Sequence, residues 1–175
     1  LDTSVKMKDF GVIVCVQWEK RGHAASYSEE DIDKLKTFVQ NGGGLLIAGS
    51  PESPISKVAQ AFGVEMKSGG LSQPLHCAEW LCNLGALPQV SIKSAGSYLI
   101  PPKEAVVAIA DSRDVPVACL VQYGAGKIMF FCDDDKGSYW DFCAQRDSQL
   151  RVPNMPTTVA LIKSLLPEGK PKQRS

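Results

Sequence analysis

Apolar residues along this chain follow two rhythms. In "FGVIVCVQ" (residues 10–17) and "GLLIAG" (residues 44–49) they run almost without interruption, the pattern of a strand covered on both faces. Between the two, "YSEEDIDKLKTFVQNGGG" places Ile32, Leu35, Phe38 and Val39 on one face at helical spacing, with Glu29, Glu30, Asp33, Lys34 and Lys36 largely opposite. That spacing predicts an amphipathic helix. Ser28 is placed to cap it, Glu29, Glu30 and Asp31 suit the positive end of its dipole, and glycine follows Asn41 as helix C-termini prefer.

After the second strand, Ser53-Pro54 reads as an N-cap with proline at the first helical position. A second helix is expected, with Ile55, Val58, Ala59 and Phe62 on one face and Gly63 at its end. Strand, helix, strand, helix with short links argues for a parallel sheet with right-handed crossovers. The middle of the chain is less periodic, offering a short helix in "LHCAEWLCNL" and a strand in "QVSIK". Three apolar strands then follow in "AVVAIAD", "PVACLVQYG" and "GKIMFFCD", the last two joined by Tyr123-Gly124-Ala125-Gly126 as a hairpin that would form an antiparallel edge. "MPTTVALIKSLLPEG" supplies a final helix with Val159, Ile162, Leu165 and Leu166 on one side, and residues 167–175 read as a disordered basic tail. Mid-strand positions Val14, Leu46, Ile47, Ile109, Val121 and Phe130 are expected to line one sheet core.

At 175 residues the chain is long enough for one domain that folds without a metal or disulfide. Lysine plus arginine equals aspartate plus glutamate at 19 each, and the longest single-sign run is Asp133-Asp134-Asp135. No electrostatic footprint for nucleic acid results. The longest apolar runs are strand-sized, short of the roughly 20 residues that span a bilayer, so no transmembrane segment is expected. Of six cysteines, Cys15, Cys119 and Cys132 lie in apolar strands, where free cysteine behaves as a small hydrophobe. Free thiols and a cytoplasmic, reducing location are the expectation. Cys77 and Cys82 with His76 lack the second half of a four-ligand zinc site, and neither a metal nor another cofactor is predicted.

Candidate chemistry centres on "AGSPE", where Ser50 follows a buried strand as nucleophiles do in many α/β enzymes. A nucleophile elbow requires G-x-S-x-G and a backbone donor just after the serine. Pro51 removes that donor, and both histidines, His23 and His76, precede the later strands that usually deliver a base. Ser50 therefore reads as a turn residue, and no catalytic residue is assigned. "GAGK" fails as a phosphate loop because a strand follows it and the Ser/Thr hydroxyl is missing. Asp133, Asp134 and Asp135 follow a buried strand, where ligands of open sheets gather, so a carboxylate metal site there and a solvated turn are both physically reasonable. Gly49, Ser50 and Glu52 with the three aspartates make up the candidate ligand cleft.

The combination of "YSEEDIDKLKTFVQNGGGLLIAG" with the later "PVACLVQYGAGKIMFFCDDD" resembles the class I glutamine amidotransferase-like superfamily. More narrowly it is similar to diverged members in TRP-channel-associated factors, the intraflagellar-transport and gliding-protein domain, and trehalose-utilisation-type proteins. The resemblance implies a single α/β domain over residues 1–166, three-layer and flavodoxin-like, whose mostly parallel sheet ends in an antiparallel hairpin at the C-terminal edge. Such domains usually begin with one more strand and helix, so the chain is expected to lack these and to be a fragment of a larger protein. True amidotransferases carry a G-x-C-x-G elbow and a late histidine and glutamate. This chain has neither that elbow nor a histidine after His76. The resulting expectation is a non-catalytic interaction or assembly module with a protein partner; the alternative is a hydrolase or sugar-processing enzyme using a metal at residues 133–135.

Overall fold

The computed structural model describes residues 7, 10–16, 19–20, 23–24, 26–90, 96–132 and 154–166. Its main sheet contains β1 (Val12–Val16), β4 (Gly44–Gly49), β6 (Leu75–Cys77), β7 (Gln89–Val90), β9 (Val106–Ala110), β10 (Pro116–Tyr123) and β11 (Gly126–Cys132), in the spatial order β1-β4-β11-β10-β9-β6-β7. Two small antiparallel pairs accompany it: β2 (Glu19–Lys20) with β3 (His23–Ala24), and β5 (Glu65–Ser68) with β8 (Ser97–Ile100). The helices are α1 (Glu29–Gln40), α2 (Ile55–Ala61), α3 (Glu79–Cys82) and α4 (Met155–Leu165).

β4 pairs in parallel with both β1 and β11, and every other neighbouring pair in the sheet is antiparallel. Following these pairings across the sheet, only β10 and β6 run against the direction of the others, so most strands share one direction. The β10–β11 hairpin forms as predicted, Tyr123 opposite Gly126. It lies in the middle of the sheet, however, and not at an edge. β11 is as apolar as β4 and buried throughout, so it belongs between two strands, with β10, β9, β6 and β7 extending the sheet beyond it.

Side chains alternate across the sheet, and this produces two cores where one was expected. Leu45 and Ile47 of β4 join Val121 and Phe130 under α1 and α2, while Leu46 and Ala48 join Ile109, Phe131, Leu161 and Leu165 on the face carrying α3 and α4. Val14 belongs to neither: it is 46% exposed. The reason is its strand's position, since β1 is the outermost strand and α4 packs over β4 and β11.

Helix boundaries follow local chemistry. α1 begins as predicted, with a reciprocal cap: the Ser28 hydroxyl accepts the Asp31 amide and the Asp31 carboxylate accepts the Ser28 amide. α2 does not use Ser53 as its cap. Pro54 takes the capping position with no side-chain bond, and the Ser53 hydroxyl donates back to the Ser50 carbonyl at 2.7 Å. α4 also turns differently from its predicted face. Thr157, Thr158, Ala160, Leu161, Ser164 and Leu165 are buried, while Val159 and Leu166 are exposed. Close approach explains the choice of small residues: a Cβ added at Gly44 would lie 2.6 Å from the Leu165 carbonyl oxygen, so helix and sheet are nearly in backbone contact. "LHCAEWLCNL" divides into β6 and α3, and "QVSIK" is a strand only at Gln89–Val90, its remainder lying outside the described residues. The 167–175 tail also lies outside them.

Candidate functional site

The turn after β4 is where sequence reasoning placed a candidate cleft, and its construction is tight. Gly49 ends the strand against the first turn of α2: an added Cβ would come within 2.1 Å of Ile55 Cγ2, so any side chain there would displace the buried Ile55 side chain. Ser50 is 1% exposed, and its carbonyl accepts both the Ser53 amide (3.2 Å) and the Ser53 hydroxyl (2.7 Å). Glu52 stands on the surface and accepts a hydrogen bond from the Ser68 hydroxyl at the end of β5. Cys132, the last residue of β11, is in register with Gly49. The strands leading into Ser50 and into the acidic segment therefore end side by side. Asp133, Asp134 and Asp135 themselves lie outside the described residues.

This arrangement places an enclosed hydroxyl at a strand end, with a proline directly after it. A reacting serine must be open to substrate, with a base in hydrogen-bond reach and amides aimed at the oxyanion. Ser50 is enclosed, and Pro51 has no amide to offer. His76 lies on β6, four strands away from β4 in the sheet order, roughly 19 Å at ordinary strand spacing. Among the described residues no group of three or more histidine, cysteine, aspartate or glutamate side chains is gathered in the manner of a metal site.

The strongest polar cluster was not foreseen. Asp111 closes the β9–β10 connection: Oδ1 accepts the amides of Arg113 (2.8 Å) and Val115 (3.0 Å), and Oδ2 accepts the Ser72 amide (3.0 Å) and the Arg113 guanidinium (3.0 and 2.7 Å). Arg113 Nη2 also donates to the Gly70 carbonyl at 2.8 Å, tying the segment before β6 to this turn. Burial would raise the Asp111 carboxyl, but the three amides and the guanidinium outweigh it and hold the group well below the usual carboxylate range. A cleft of about 360 Å³ beside it is lined by His76, Cys77, Ala110, Asp111, Ser112 and Asp114, among others. Both Asp111 oxygens are already engaged, so the carboxylate organises the turn rather than facing a ligand. The "DSRD" turn between two apolar strands, with aspartate at its first position, was the available signal.

Burial pushes the thiols of Cys15 and Cys77 up to about 11 and that of Cys119 up to about 12. These are packing residues rather than reactive ones. Cys15, Cys77, Cys82 and Cys119 are free thiols, and the buried Cys132 thiol donates to the Tyr98 carbonyl at 3.6 Å; Cys143 lies outside the described residues.

No protein-family model matches the chain, and no curated protein matches it. Solved structures do. The exo-β-1,4-mannosidase Op5Man5 from Opitutaceae bacterium strain TAV5 superposes with a TM-score of 0.55 at 15% identity over 93% of this chain and 26% of that one. The cytoplasmic protein STM3548 from Salmonella typhimurium gives 0.55 at 14% identity, covering 93% of this chain and 74% of its own. The mmIFT52 N-terminal domain gives 0.53 at 13% identity over 75% and 70%. These likenesses establish a shared α/β fold and nothing finer. The chain spans about a quarter of the mannosidase, as one part of a much longer protein.

Proposed function

We propose that this chain is a non-catalytic α/β module serving interaction or assembly within a larger protein, of the diverged glutamine amidotransferase-like, flavodoxin-like type. One observation carries the proposal: at the strand end where such enzymes hold a nucleophile, Ser50 is enclosed in a turn and followed by a proline. The fold likeness to the mmIFT52 N-terminal domain supports the narrower kinship with the intraflagellar-transport domain, and the quarter-length match in the mannosidase supports a role as one unit among several. On this reading the partner is a protein and the location cytoplasmic. No described helix is long and apolar enough to cross a membrane.

The test is direct. The protein and its Ser50→Ala variant are challenged with a fluorophosphonate probe, glutamine, an ester and nitrophenyl glycosides, the last with and without magnesium or calcium. No labelling and no turnover are expected from either. Labelling or turnover lost in Ser50→Ala would overturn the proposal. Metal-dependent turnover lost in an Asp133→Asn, Asp135→Asn variant would instead establish a hydrolase at the acidic segment.

A further inference from the structure

We draw no further inference here: the strongest candidate, the cleft of about 360 Å³ between the end of β6, β9 and the Asp111 turn, belongs to the site already described, where the buried carboxylate is engaged within the turn and nothing in the structure shows which ligand the cleft would take.

Discussion

The carboxylate of Asp111 holds three backbone amides and one guanidinium at once, and two separate chain segments depend on it. Asp111→Asn keeps the size but removes the charge that all four donors face. It is expected to cost about 1.5 to 3 kcal/mol, the range of hydrogen bonds to charged groups, read as a lower urea midpoint at neutral pH. The pH dependence has a definite sign. A carboxyl held lower in the folded than in the unfolded chain stabilises the fold when ionised. That contribution is complete above the unfolded value near 4 and is lost as pH falls toward the folded one. The midpoints of the protein and of Asp111→Asn should therefore converge as pH falls from 7 to 3; parallel curves would show that the charge contributes nothing. Ser50 presents the opposite case at the same scale. That the residue after Ser50 offers no backbone donor is legible from Pro51 alone, because a missing amide is a covalent fact, whereas the Asp111 cluster depends on Ser72, which folding brings across from another segment.

At the scale of elements, β4 is the hinge of the packing because its two faces feed two cores. Leu46 is fully buried under α4 and should cost roughly 2 to 5 kcal/mol when changed to alanine, whereas Val14→Ala, in register with it on the edge strand, should stay within about 1 kcal/mol. Equal losses in chemical denaturation would mean that β1 is covered in solution. The contrast marks how far the sequence can be read. β1 and β4 have the same apolar signature because both pack on one face or two, but their burial depends on which strands flank them, and pairing order is not written in periodicity. α1 was readable because its charges fall on one side and its cap is local. The buried side of α4 was not, since threonine, alanine and serine face the sheet where the backbones nearly touch, and the larger apolar residues point outward. Among the candidate cleft residues, Gly49 and Ser50 are tied to the turn as their neighbours in sequence suggested. The partner of Glu52, Ser68, arrives from a strand that no local pattern links to it.

For the molecule as a whole, the two cores share one sheet, so neither can be lost alone. Every strand from β4 to β9 contributes side chains to both faces or pairs with one that does, and opening one face would strand the apolar backs of the same strands in water. Two native thiols can report on the two sides: Cys119 is buried in the core under α1 and α2, and Cys77 packs against the core under α3 and α4. Burial raises both, to about 12 and about 11 respectively, so at neutral pH neither is appreciably thiolate in the folded protein and both become reactive on unfolding. Brief labelling along a urea gradient, with the modified peptides quantified by mass spectrometry, should give the same midpoint for Cys119 and Cys77, as two-state unfolding of a single domain demands. If Cys77 becomes reactive at clearly lower urea while Cys119 stays protected, the face carrying α3 and α4 opens as a separate unit and the sheet does not couple the two cores.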